Sequence, residues 1–287
     1  MISPYLTHEM LTRIAKLPVA KRPAAMALVG REEWQRCASD IFYWLDSRRH
    51  LVPYVYTKDP KTVYTCNLCA DGATHYFNKL RVHLMESHKT EVSDELELQR
   101  LFTALDTIRP LDLEPNFWYM KPIIDQWLVE PLMVVEKSRD MMATWLVVMC
   151  YTWDTLFHRG KQNIFQSENA TKSRELVQRA HTLWRNQPKW LRDVHPAKYQ
   201  EGASKAGYLV VSSLEDSEII GFPQGADKIR QFHPSGMFSD EAAFNPDAGN
   251  CFAALKPAIQ AGGRYTAISS ANPSFFMAIC RDLTNIE

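Results

Sequence analysis

Charge excess of either sign is missing from this chain of 287 residues: Lys and Arg together number 33, and Asp and Glu together number 33. A polyanion cannot be held by the molecule as a whole, so nucleic-acid binding would have to come from a local patch. No secretory leader is expected either, because the opening MISPYLTHEMLTRIAKLP has no apolar core. The most apolar stretch, Met141 to Phe157, is too short to read as a membrane span and carries Asp154, so it reads as a buried helix. Six cysteines in a chain without a leader are expected to be reduced thiols inside a cell, not a disulfide framework. No internal repeat and no low-complexity tract is visible, which excludes a solenoid or a disordered chain. What remains is 46% hydrophobic and 23% charged, ordinary for a globular protein with one large domain or two smaller ones.

Against that plain background, Gly236-Met237-Phe238-Ser239-Asp240-Glu241 reads as a strand that delivers two adjacent carboxylates to its tip. The first carboxylate of such a pair can hold Mg²⁺ beside nucleotide phosphates. The second can orient and deprotonate an attacking water. A solvated helix cap has the same local pattern, so the pair gains meaning only from the rest of the chain.

A second signal lies in the first third. Cys66 and Cys69, then His83 and His88, give C-x2-C-x13-H-x4-H, close to a two-Cys, two-His zinc pattern. A C-x-x-C knuckle aims two thiolates at one point, and two His about a turn apart on a helix project toward the same point. Leu80, with Tyr76 or Phe77, is the candidate core of that small module. The helix offers few base-reading side chains beyond Asn78, Lys79 and Arg81, and only one such module is present. A structural zinc clip is therefore favoured over a base-reading finger. His75 is a rival ligand that breaks the spacing.

Periodicity predicts short helices over residues 1 to about 50, including Arg31 to Asp46, and a strand from Thr57 to Thr65 that leads into the knuckle. Leu96, Leu98, Leu101, Phe102 and Leu105 predict an amphipathic helix over Ser93 to Ile108. The stretch from Arg109 to Pro115, bracketed by prolines, reads as a linker. Beyond it the pattern alternates. Strands are expected at Leu132–Glu136, Asn163–Ser167, Gly236–Ser239 and Arg264–Ser269, and helices at Met142–Leu156 and Thr171–Asn186. Gly207–Ser212 and Glu218–Phe222 are expected to pair. Strands separated by helices imply an α/β fold with a mostly parallel sheet.

Two adjacent carboxylates on such a strand call for a strand–loop–helix that cradles phosphate. The usual G-x-x-x-x-G-K-[ST] is absent. In its place, between the Leu132 strand and the next helix, stand Lys137, Ser138, Arg139, Asp140, Met141, Met142, Ala143 and Thr144. Aligned on Thr144, Met142 occupies the second Gly position and Ala143 the Lys position. Thr144 could still offer its hydroxyl to Mg²⁺, and Lys137 or Arg139 could supply the missing charge. Arg230 and Arg264 are in reserve.

The set VEKSRDMMATW, GMFSDEAAF and GGRYTAISSANPSFF resembles the ATPase motor domain of tailed-phage large terminases, the DNA-packaging motors. The segments ENATKSRELVQRAHTLWRNQPKWL and IIGFPQGADKIR resemble it as well, and the motifs stand in the family's order over about residues 115 to 280. The helical N-terminal region at 1–95, which carries the zinc-finger-like insert (66–88), lies outside the resemblance. The resemblance implies an α/β fold of the P-loop NTPase (ASCE) type with the motor domain at 96–287. It implies ATP and Mg²⁺ as cofactors, beside the Zn²⁺ read from the spacing. It assigns catalysis to Glu241, Asp240 and Arg139, phosphate binding to residues 137–144, Mg²⁺ to Thr144 and Asp240, and coupling to Ser269, Ser270, Ala271 and Asn272. Trp118, Tyr119 and Gln126, beside Phe117, fall where such folds contact adenine. The implied partners are double-stranded DNA, the portal and the small terminase subunit, with no membrane. A ring of identical subunits is implied during packaging and a monomer in isolation, in the host cytoplasm of an infected bacterium. The family's C-terminal nuclease does not fit in the few residues after the coupling motif, so it is expected to be absent or on another chain. Two readings from other classes stay open: a zinc-stapled, non-catalytic nucleic-acid or assembly module on a degenerate ATPase fold, and a helicase-like ATPase.

Overall fold

The computed structural model describes residues 13–45, 55, 63–70, 74–76, 80–92, 101–106, 119–139, 141–200, 207–225, 229 and 232–281. The chain divides into two compact units. One comprises Met1–Asp112 with Thr182–Val194, the other Leu113–His181 with His195–Glu287. None of the described helices is long and apolar enough to cross a membrane, and none of the six cysteines forms a disulfide.

In the first unit, helix α1 (Arg22–Ser39) starts with Pro23 in its first turn, where a missing N–H costs nothing, and is followed by the short α2 (Ile41–Leu45). Both are held by a buried carboxylate: Glu33 accepts from the Tyr43 hydroxyl at 2.7 Å and from the Arg36 guanidinium at 2.9 Å. Gly30 is required where α1 meets a short helix at Lys189–Arg192, because a Cβ there would lie 2.7 Å from the Trp190 carbonyl oxygen. Further along, β1 (Val63–Cys66), β2 (Thr74–Tyr76), helix α3 (Leu80–His88) and β3 (Phe102–Asp106) form a small module whose antiparallel sheet has the order β2-β1-β3. The helix expected over Ser93 to Ile108 is thus a strand at 102–106. Thr103 pairs with Thr65 and Phe102 with Cys66, so cross-strand pairing overrides the helical spacing of the leucines.

The second unit holds a seven-stranded sheet in the order β4-β10-β9-β5-β8-β7-β6. Its strands are β4 (Leu132–Glu136), β5 (Gln162–Ser167), β6 (Lys198–Gln200), β7 (Tyr208–Val211), β8 (Ser217–Pro223), β9 (Gly236–Asp240) and β10 (Arg264–Ser269). Neighbours from β4 to β8 are parallel, and β8-β7-β6 is an antiparallel extension. The pairing expected for 207–212 with 218–222 is β7 with β8. Helices α4 (Met120–Val129), α5 (Ala143–Phe157), α6 (Ala170–Arg185), α7 (Ala248–Gln260) and α8 (Phe275–Arg281) complete the list. Helix α5 is apolar nearly all round, with twelve of its residues buried, which is why Met141–Phe157 is the most apolar stretch of the sequence.

Tyr151 locks α5 to the sheet. Its hydroxyl donates to the Met237 carbonyl at 2.8 Å and lies 3.1 Å from the Thr266 hydroxyl, joining β9 and β10. Gly236 makes room for it: a Cβ there would sit 2.5 Å from both Tyr151 Cε1 and Asn163 Oδ1. Gly236→Ala is therefore expected to destabilise the protein by about 1–3 kcal/mol, the usual cost of overpacking a tight core. Urea unfolding checks this, and unchanged stability would show that the tyrosine ring has room to move.

Candidate nucleotide site and metal centre

Strand β4 ends at Glu136, and the chain turns through residues 137–142 into α5. The Lys137 amide extends the ladder by donating to the Ser269 carbonyl at 3.0 Å. At the far end of the turn Met142 has φ 53° and ψ 10°, the left-handed conformation that favours glycine. A side chain costs about 1–2 kcal/mol there, so the loop keeps the shape of a glycine turn without the glycine. The Tyr119 hydroxyl donates to the Met141 carbonyl at 2.8 Å and pins that end. No side chain caps the N-terminus of α5, whose first amides therefore face the loop as donors for an anion. Ser138 and Arg139 are exposed and Lys137 is half-buried; Asp140 lies outside the described residues.

Strand β9 brings its carboxylates to the same edge, at the carboxyl ends of the parallel strands, where open α/β sheets bind their ligands. Thr144 donates its hydroxyl to Asp240 Oδ1 at 3.1 Å. Lys137 Nζ lies 3.2 Å from Glu241 Oε1, and the Ser269 hydroxyl is 3.4 Å from Glu241 Oε2. Glu241 also has a left-handed backbone, φ 53°, which turns the chain sharply off the strand. Burial first, and then the neighbouring charge of Glu241, raises the Asp240 carboxyl above its ordinary value; the Thr144 hydroxyl, Arg179 and Lys137 pull it back. Asn272 donates to the Ala243 carbonyl at 3.1 Å, tying the exit of β10 to the turn after Glu241. A cleft of about 520 Å³ opens here, lined by Glu136, Lys137, Ser138, Ser270 and Ala271, within the usual size range for a small ligand.

Several sequence candidates stand elsewhere. Gln126 is exposed on α4, where its carbonyl accepts the Glu130 amide. Trp118, Phe117 and Arg230 lie outside the described residues. Arg264 is at the start of β10, away from the loop, and closes the C-terminus of α4 by donating to the carbonyls of Trp127, Glu130 and Leu128. Its guanidinium also stacks 4.2 Å from the Trp127 ring, so its reserve role in the loop is replaced by a capping one. Sequence reading overlooked Arg179, whose guanidinium lies 5.3 Å from the ring of Trp145, the residue after Thr144. No local signal marks it, since it stands among other charged residues on α6.

Mg²⁺ with a nucleotide fits this donor set. The loop offers uncapped helix amides and a lysine, Thr144 and Asp240 offer paired oxygens for a hard cation, and Glu241 is within reach of the same edge.

In the first unit Cys66, Cys69, His83 and His88 converge, with their four ligand atoms within 4.8 Å of one another. Cys69 Sγ is 3.2 Å from His83 Nε2 and 3.1 Å from His88 Nε2, and Cys66 Sγ is 3.5 Å from His88 Nε2. In tetrahedral zinc with ordinary bond lengths, a sulfur and a nitrogen ligand stand about 3.5 Å apart, so the cluster has the size that zinc requires. The Ser87 hydroxyl lies 3.3 Å from His83 Nδ1, which leaves Nε2 for the metal. Beneath the cluster a small core buries Cys66, Leu80, Leu84 and Val92.

The second unit has a mostly parallel sheet flanked by helices, with β10 inserted between the loop strand and the carboxylate strand. No protein-family profile matches the sequence, and no curated protein does. The chain is similar to solved structures of phage large terminases. An ATPase-domain mutant of the Thermus phage P74-26 large terminase is 13% identical, with a TM-score of 0.41 over 53% of this chain and 64% of that one. The HK97 bacteriophage large terminase is 15% identical, with a TM-score of 0.46 over 61% of this chain and 37% of its own. The large terminase of a thermophilic bacteriophage, solved in complex with ADP, is 11% identical, with a TM-score of 0.36 over 52% of this chain and 38% of its own. The chain thus spans less than two thirds of the first of these and under two fifths of the other two.

Proposed function

We propose that this chain is the ATP-hydrolysing motor domain of a phage DNA-packaging terminase, which drives double-stranded DNA into a procapsid. The observation that carries the proposal is the meeting of two separate motifs at one sheet edge: Thr144 with Asp240 at 3.1 Å, and Lys137 with Glu241 at 3.2 Å. Bound Mg²⁺–ATP supplies the phosphoanhydride whose cleavage powers the motor. Loop 137–144 and the α5 N-terminus hold its phosphates, Thr144 and Asp240 hold the cation, and Glu241 takes the proton of the attacking water. Ser269 to Asn272 link the state of Glu241 to β10 and the following turn, because Ser269 touches its carboxylate and Asn272 holds the carbonyl of Ala243. Arg139, exposed at the loop, suits an arginine finger acting on a neighbouring subunit of a ring. Tyr119 and Trp118 remain the adenine candidates. Portal, small terminase subunit and the infected cell's cytoplasm follow from the same proposal. The zinc cluster serves as a structural clip.

The test is Mg²⁺-dependent ATP hydrolysis with and without double-stranded DNA, which is expected to be stimulated by the DNA. Lys137→Ala will weaken nucleotide binding by the monomer. Arg139→Ala will spare that binding and abolish hydrolysis by the ring, and mixing it with Glu241→Gln subunits will restore part of it. Wild-type turnover by both the Lys137 and Arg139 variants would show that neither replaces the missing lysine. Absence of Mg²⁺-dependent hydrolysis by the wild type would favour the non-catalytic module, a reading that Ala143 at the lysine position supports.

A further inference from the structure

We infer that Lys137 is a two-position cation that holds Glu241 out of use until phosphate arrives. The inference rests on the nucleotide-site reading above and adds a regulatory contact to it. The Lys137 backbone is fixed by the sheet, through its 3.0 Å bond to the Ser269 carbonyl. Its side chain, only 12% exposed, ends 3.2 Å from one Glu241 oxygen, and the Ser269 hydroxyl stands 3.4 Å from the other. Both oxygens of the carboxylate are therefore engaged. These two contacts set the orientation of the carboxylate, so it is not aimed as a base while Lys137 holds it.

The same ammonium is the half-buried cation of the loop. Ala143 offers none, and Arg139 is exposed. Lys137 also lines the cleft, and the uncapped amides of α5 close the other end of its loop. A polyphosphate carries more charge than one carboxylate, and a lysine head on its flexible four-carbon stem can change partner without backbone movement. Phosphate in the loop competes for Lys137 and leaves Glu241 with Ser269 alone. The base is then released only when there is something to hydrolyse, and its remaining partner belongs to β10. The competition has a measurable cost, because part of the attraction between loop and phosphate goes into breaking the ion pair.

The experiment is calorimetric titration of Mg²⁺–AMPPNP into the full chain as wild type, Glu241→Gln, Lys137→Met and the double variant, each checked for folding by thermal melting. Lys137→Gln replaces Lys137→Met if the latter does not fold. Glu241→Gln is expected to tighten binding by roughly 5–20-fold, the lower part of the range for coupled sites. In the Lys137→Met background the same change should alter affinity by less than about 2-fold, because the competition is gone. Equal tightening in both backgrounds would mean simple charge repulsion and would overturn the inference, as would no tightening in the single variant. Absence of AMPPNP binding by the wild type is a separate outcome: it sinks the nucleotide-site reading itself, and this inference with it.

Discussion

Glu241→Gln will lower Mg²⁺-dependent ATP turnover by roughly 10²-fold or more, the usual weight of a positioned general base, while Mg²⁺–AMPPNP still binds. The separation follows from the geometry. The proposed cation ligands are Thr144 and Asp240, paired at 3.1 Å, and the substitution leaves both in place. An amide at position 241 can still accept from Ser269, so the sharp turn that carries φ 53° keeps its hydrogen bond. What the amide cannot do is take a proton from water. Single-turnover hydrolysis beside AMPPNP titration distinguishes the outcomes. Wild-type turnover by Glu241→Gln rules out Glu241 as the base, and with it the motor. Loss of both turnover and binding would instead make Glu241 a structural residue of the loop.

The parts of this site that were legible in the sequence are those carried by short-range pattern. Strands β5, β9 and β10 are buried along nearly their whole length, as parallel strands covered on both faces are, and each ends at a polar residue of the sheet edge. The Cys and His spacing was legible because metal geometry dictates it. Long-range placement was not. Lys137 and Glu241 are 104 residues apart, and only the strand order β4-β10-β9 makes them neighbours. Local pattern offers no reason to prefer Glu241 over a phosphate as the partner of that lysine. Helix α7 escaped notice because Gly249 and Pro257 both argue against a helix; Pro257 falls near its C-terminal end, where Ala261 still donates to the Pro257 carbonyl. Strand β3 departs from the expected helix because the apolar residues of the wider 96–105 segment fit a helical stripe, while the decisive fact, pairing with β1, lies some 40 residues upstream. Arg264 was available as a charge and turned out to be a helix cap, a role set by the end of α4 that packs beside it.

Removal of metal is expected to unfold the small module between Val63 and Val92. Its described core is only Cys66, Leu80, Leu84 and Val92, and two of its strands have four and three residues. So few buried side chains cannot offset the entropy of ordering the segment, which is the condition under which small domains depend on a metal. Structural zinc contributes on the order of 10 kcal/mol or more to such folds. Elemental analysis should find about one zinc per chain, and Cys66→Ser should lose it. Limited proteolysis should then cut within 63–92, where the metal-loaded protein resists. Cys69 is the more demanding position, because its sulfur lies within 3.2 Å of both histidine nitrogens and its loss would leave the two imidazoles without a common partner. Affinity should also fall on acidification, since both imidazoles must be neutral and both thiols ionised to bind. Ser87→Ala should weaken zinc about 10-fold or more, as expected for a group that orients a ligand, without touching the ligands themselves. Metal-free protein that resists protease as well as the loaded form would show that the four side chains meet for another reason.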